Sequence, residues 1–149
     1  MQLTEHFTLD EFTASETAAR TGIDNEPSDA VVENLRDLCQ SILEPLRCHL
    51  GRPVVITSGY RSAQLNRAVG GSFTSQHMTG KAADILVPGI TPLDVCRVIE
   101  NLDLPFGQLI NEFGRWTHVS LGSSLREKQL FTCHRVDGST VYEKGLIDV

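Results

Sequence analysis

Three side chains set far apart in this sequence carry donor atoms that suit a single metal ion. His77 and Asp84 lie in Ser75-Gln76-His77-Met78-Thr79-Gly80-Lys81-Ala82-Ala83-Asp84, and His118 lies in Trp116-Thr117-His118-Val119-Ser120. Two neutral imidazoles and one carboxylate fill three corners of a zinc tetrahedron. The fourth corner stays open for water, which separates a catalytic zinc from a structural one closed by four protein ligands. A metal held in that way does hydrolysis. Spacing alone leaves the matter open. Six residues separate His77 from Asp84, which is not the i, i+4 spacing of two histidines on one helix. A loop carrying His77, a turn at Gly80 and a strand carrying Asp84 would bring them together. A histidine in a strand is also commonly an ordinary structural residue.

The elements that must position these residues are readable from periodicity. Trp116 to Leu121 is expected to be a strand on which Trp116, His118 and Ser120 share one face and Thr117 and Val119 the other. His118 therefore reaches a cleft only in the company of Trp116. Phe106 to Glu112 is expected to be its hairpin partner across Phe113-Gly114-Arg115. Ala82 to Val87 and the β-branched run Val54 to Ser58 are expected strands. Helical spacing of Val31, Val32, Leu35, Leu38, Cys39, Ile42, Leu43 and Leu46 predicts a long helix from Asp29 to about Leu50, capped by Ser28 and disturbed at Pro45. Ser62 is expected to cap a short helix to about Val69, and Thr91-Pro92 to open another ending near Asn101. Leu9 to Phe12 reads as a short helix, and Ser72 to Gly80 as loop. Leu130 to Arg135 and Thr140 to Tyr142 flank Asp137-Gly138, a second hairpin signal. Helices come early and strands mostly late, which points to one α+β domain with an antiparallel sheet packed against helices.

A chain of 149 residues, 40% hydrophobic and 21% charged, is long enough to bury one core without staples. The net charge of −6 argues against nucleic acid, whose phosphates need a basic surface. No run of apolar residues approaches a membrane span. The opening MQLTEHFTLDEF has neither a basic n-region nor an apolar h-region; the expectation is synthesis in the cytoplasm as a monomer. Cys39, Cys48, Cys96 and Cys133 form no C-x-x-C pair and are expected to be free thiols.

The words around the candidate ligands carry a resemblance. Ser75-x-His77-x-x-Gly80-x-Ala82-x-Asp84, the Trp-x-His strand, and Ser58-Gly59-Tyr60-Arg61-Ser62 upstream resemble the zinc D-alanyl-D-alanine carboxypeptidase family. The branch of peptidoglycan peptidases common in bacteriophage genomes is the nearest in pattern. LTEHFTLDEF, the LEPLR of the long helix and SGYRSAQLNRAVGG extend the likeness from the N-terminus to about Leu121; residues 122–149 carry none of it and read as a C-terminal hairpin extension. The resemblance implies the fold shared by hedgehog signalling domains and DD-peptidases. It implies zinc on His77, Asp84 and His118, with Arg61 and Ser75 meeting a peptidoglycan stem peptide. A planar guanidinium suits the carboxylate such a peptide carries. The expected activity is hydrolysis of that peptide, as a carboxypeptidase or an endolysin-type endopeptidase. The enzyme would act on the wall after holin-type release or as a virion component.

One position departs from the family. Many relatives place the catalytic acid three residues before the last histidine ligand, where this chain has Arg115, which cannot act as a base. The segment Leu109-Ile110-Asn111-Glu112-Phe113 resembles one in the phage-type branch, and Glu112 is the expected general base across the tight hairpin. The alternative that this departure keeps open is a zinc-containing wall-binding or phage structural module without hydrolysis.

Overall fold

A computed structural model describes residues 1–149. Its chain order is α1 (Leu9–Thr13), α2 (Glu16–Thr21), α3 (Asp29–Leu38), a π-helical turn (Cys39–Leu43), α4 (Glu44–Leu50), β1 (Val55–Ser58), α5 (Ala63–Ala68), a 3-10 turn (Gln76–Thr79), β2 (Ala82–Leu86), α6 (Pro92–Asn101), β3 (Phe106–Glu112), β4 (Trp116–Leu121), β5 (Gln129–Val136) and β6 (Ser139–Lys144). The strands form one sheet in the order β1-β2-β4-β3-β5-β6. One face of it carries Ala83, Ile85, Leu109 and Val119 into the apolar core, where α3, α4 and α6 supply Leu35, Leu38, Leu46, Val95 and Ile99. Each of these large side chains contributes roughly 2 kcal/mol through burial. The alternate residues of the same strands, Asp84, Ile110, Glu112 and His118, line a cleft on the opposite face.

The long helix expected from Asp29 to Leu50 is present in direction but interrupted in its winding. Ser28 accepts a hydrogen bond from the Val31 amide as the cap. The turn at Cys39–Leu43 then widens just before Pro45. Proline has no amide hydrogen and its ring crowds the carbonyl one turn back, and a widened turn relieves that crowding. Three further expectations need amending. The first residues hold two short helices rather than one. The stretch expected as loop from Ser72 to Gly80 carries the 3-10 turn that bears His77. The sheet is mixed, because β5 runs parallel to β3 while every other pairing is antiparallel.

The connection after β4 explains that parallel pair. β4 ends beside Phe106, the first residue of β3. Residues 122–128 pass across that end: the Gly122 amide donates to the Pro105 carbonyl and the Lys128 amide to Phe106. Lys128 also bonds Asp103 at 3.0 Å and stands 4.8 Å over the Phe106 ring. The chain thus enters β5 from the same end as β3. The four cysteines are free thiols. No helix is long and apolar enough to cross a membrane.

The N-terminal segment is tied to α4 through Glu44. Its carboxylate accepts from the Thr4 hydroxyl at 2.7 Å, the His6 amide at 2.7 Å and His6 Nδ1 at 2.8 Å. Burial opposes ionisation there, but these donors outweigh it and hold the carboxyl below its ordinary value of 4.5. A depressed folded-state pKa means the stabilisation is complete above the unfolded value and is lost as pH falls through the folded one. Glu44→Gln is therefore expected to cost about 1–2 kcal/mol at neutral pH. The two proteins should converge in acid, as read by urea denaturation over a pH series.

Candidate metal centre and cleft

His77 is placed by a short local structure. Ser75 accepts the His77 amide at 3.2 Å and starts the 3-10 turn, and Gly80 ends it at φ 75°. A side chain at Gly80 would be strained in that conformation and would meet the Val31 carbonyl at 2.8 Å. The chain reverses there into β2. The His77 carbonyl accepts the Arg61 amide at 3.1 Å, which joins the two motif segments through the backbone. Gly59 closes the arrangement. Its carbonyl accepts from His77 Nδ1 at 2.7 Å, and its missing side chain leaves room for the Phe12 backbone, which a Cβ would meet at 2.6 Å.

Asp84 and His118 are placed by register. They are directly paired across β2 and β4, and on β4's other side His118 pairs with Ile110 of β3. Paired residues project on the same face, so the two donors meet by topology. His118 Nδ1 lies 2.9 Å from Asp84 Oδ1, and His77 Nε2 lies 3.4 Å from the same oxygen. The ligand atoms of the three residues all lie within 4.8 Å of one another. His77, His118 and Asp84 are 2%, 8% and 9% exposed.

The chemistry of these donors fits a metal ion. A carbonyl only accepts, so His77 Nδ1 carries the proton that it gives to Gly59. In the neutral ring, Nε2 then presents a lone pair toward a carboxylate oxygen. Two electron-rich atoms facing each other in a buried site call for positive charge between them, which a second ring proton or a metal ion would supply. An imidazole oriented by a backbone carbonyl on its far nitrogen is the usual outer support of a metal ligand. Burial would raise the Asp84 pKa, but hydrogen bonds and charge from His118 and His77 overcome it and keep the carboxyl well below the ordinary range. The group is ionised, as a ligand must be.

Around the triad lies an open cleft of about 790 Å³ that also contains Arg61, Ser75, Glu112 and Trp116. Glu112 sits at the end of β3. Phe113 and Gly114 both take positive φ, 58° and 66°, and Arg115 donates back to the Glu112 carbonyl at 2.9 Å. This is the mirror-image turn that suits a hairpin's twist. It brings Glu112 Oε1 to 3.9 Å from His118 Nδ1. Burial is the main influence on Glu112 and raises its pKa; the Asp84 charge adds to this, while His118, Trp116 and Arg61 oppose it. Arg61 Nη2 lies 3.4 Å from Ser75 Oγ, and Arg61 Nε is buried with no partner. Asn66 is buried and donates to the Ser72 carbonyl at 2.9 Å, which makes it a brace of the loop before His77.

The expectation that Trp116 accompanies His118 into the cleft agrees with its place there. The sequence reading did not find the cleft's remaining wall. Arg126, Phe131, Arg135, Thr140 and Tyr142 line it, all from the segment taken for a terminal extension. Strand alternation on β5 was available as a signal, but nothing in the sequence told which strand β5 joins.

Replacing His77 or His118 by alanine is expected to abolish tight zinc binding, measured by equilibrium dialysis with metal analysis. Gly59→Ala should weaken it while leaving all three ligands in place. Wild-type affinity in the Gly59 variant would show that the carbonyl contact does not orient the ring.

No curated protein matches this chain. The pattern of the family described as Peptidase M15 matches residues 5–120, which takes in Arg61, His77, Asp84, Glu112 and His118. The chain belongs to the peptidase M15 family and is a hydrolase of the metallopeptidase class, with a His-Asp-His triad able to hold a metal ion.

Proposed function

We propose that this protein is a zinc-dependent peptidase that cuts peptidoglycan stem peptides, with Glu112 as its general base. The observation that carries this reading is the position of Glu112: a half-buried carboxylate beside the triad, in the same cleft, with its proton affinity raised. A zinc ion on His77, Asp84 and His118 would supply a Lewis acid and an acidified water. Glu112 takes the proton as water attacks the peptide carbonyl and returns it to the leaving amine. A carboxylate whose pKa is raised toward neutrality is better matched to both halves of that task. The carboxylate also answers the absence of an acid at Arg115, and it favours an enzyme over a binding module.

Arg61 orients the substrate. Its place in the cleft lining and its single loose contact to Ser75 leave guanidinium donors free for a peptide carbonyl or terminal carboxylate. Burial pushes its pKa down while Asp84 and Glu112 draw it back up; an arginine stays charged throughout. Ser75 holds the His77 amide and the guanidinium together. The wall as substrate follows from the likeness of the motif words and from this carboxylate-seeking group. On this reading the protein works as a monomer and reaches the wall through a membrane-perforating partner or as part of a virion.

Purified peptidoglycan incubated with the zinc-loaded protein should release new amines, and mass spectrometry of the products should identify the bond cut. Glu112→Gln should retain zinc while turnover falls by about 10²–10⁴-fold. Full turnover in that variant would remove Glu112 from the mechanism.

A further inference from the structure

The family pattern ends at residue 120, but the cleft does not. β5 lies against β3 with Ile110 level with Phe131 and Glu112 level with Cys133; β6 continues the second row with Tyr142 opposite Cys133. The floor that carries His118 and Glu112 thus runs unbroken into the C-terminal hairpin. Tyr142 lines the same cleft as His118 and Glu112, and the Glu112 charge is close enough to add to the rise that burial gives its phenol.

Two guanidiniums come with that wall. Arg135 stands two residues beyond Cys133, roughly 7 Å further along the strand. Arg126 lines the cleft from the loop that passes the start of β3; Gln108, at that end, is four residues from Glu112, roughly 13 Å along the strand. Arg61, Arg126 and Arg135 all line the cleft, and no carboxylate lies in ion-pair contact with any of them. Arg135 makes only a 3.4 Å contact to the Gly138 carbonyl and stands 5.9 Å over the Phe113 ring. Most of its five donors are free. Three unpaired guanidiniums converge on one cleft of a chain whose net charge is −6. Their separation along the cleft suits isolated carboxylates rather than the closely spaced phosphates of a nucleic acid.

We propose that residues 122–144 form the substrate-selecting wall of this cleft, in which Arg126 and Arg135 bind carboxylates of an acidic peptide at opposite ends of the floor. This rests on the peptidase reading above for the identity of the ligand as a peptide. Arg61 serves the reacting end of the substrate, and the two arginines of the wall add recognition beyond it. They bind the ground state and the transition state alike, so their loss raises KM with little change in kcat.

The test uses two synthetic stem-type peptides of one sequence. Both have a free C-terminus; one also carries two acidic side chains, and the other has those two side chains as amides. Binding is measured by calorimetry on the metal-free protein, and KM and kcat on the zinc-loaded protein. Wild type should bind the acidic peptide more tightly. Arg126→Ala and Arg135→Ala should each weaken it by about tenfold, and neither should affect the amidated one. Arg97→Ala, on the far side of the sheet, should change nothing. A double variant that still prefers the acidic peptide as strongly as wild type would overturn the proposal. Cleavage of both peptides by wild type with equal KM would also overturn it while sustaining the peptidase reading. Charge-selective binding lost in the double variant, with both peptides and peptidoglycan left uncut, would support the wall and overturn the peptidase reading.

Discussion

A buried carboxylate oxygen with an imidazole nitrogen on either side is the constraint around which this molecule is organised. Asp84 Oδ1 has His118 Nδ1 at 2.9 Å and His77 Nε2 at 3.4 Å. His118 Nδ1 is close enough to donate to that oxygen, whereas a His77 ring protonated only at Nδ1 turns a lone pair toward it, an arrangement that positive charge between them would relieve. The surrounding structure makes their separation costly. Asp84 and His118 cannot part without breaking the β2–β4 register, and His77 cannot turn away without giving up Gly59 and the 3-10 turn. The fold therefore holds the donors close before a metal ion arrives, and a preformed site spends less of its binding free energy on ordering ligands.

Placement on a sheet has a second consequence. Asp84, His118 and Glu112 come from three adjacent strands, β2, β4 and β3, and the opposite faces of those strands are the apolar core. Ala83 and Val119 back onto α3 and α6 while their neighbours Asp84 and His118 face the cleft. Packing on one side thus fixes position on the other, since a one-residue slip would exchange core and site. Glu112 is the exception. It sits at the hairpin end, where a turn with two positive φ values sets its reach. Moving the acid from the position of Arg115 to that of Glu112 changes which side of the turn supplies it and leaves the register of the ligands untouched.

Much of this was legible beforehand, and the failures have definite physical causes. The strands bearing Asp84 and His118 run where expected, and Ser28 and Ser62 both accept amides as caps. These are local signals. The π-helical turn before Pro45 is local as well, but proline announces a disturbance without saying which form it takes. The parallel pairing of β5 with β3 was not legible at all. It depends on where residues 122–128 cross, and that crossing is held by Lys128 against Phe106 and Asp103, contacts between residues some twenty positions apart. Because that pairing was hidden, so was the share of the cleft contributed by the last part of the chain. Ligand residues could be named from their neighbours in sequence; the wall facing them could be named only from their neighbours in space.

The distribution of charge ties the two parts of the cleft together. The chain carries 19 acidic side chains against 13 basic ones, and an anionic peptide would be repelled by most of its surface. Within the cleft the balance reverses, because Arg61, Arg126 and Arg135 face only Glu112 and Asp84, and the latter is engaged by two histidines. Low-dielectric walls concentrate such a local field. An acidic ligand is then drawn to one place on the molecule, and the same repulsion that keeps it off the remaining surface sharpens the preference. A neutral peptide of equal size would lack this guidance and would depend on the apolar contacts of Phe131, Trp116 and Tyr142. The C-terminal hairpin, which contributes no ligand to the metal centre, is in this view what decides the class of molecule that reaches it.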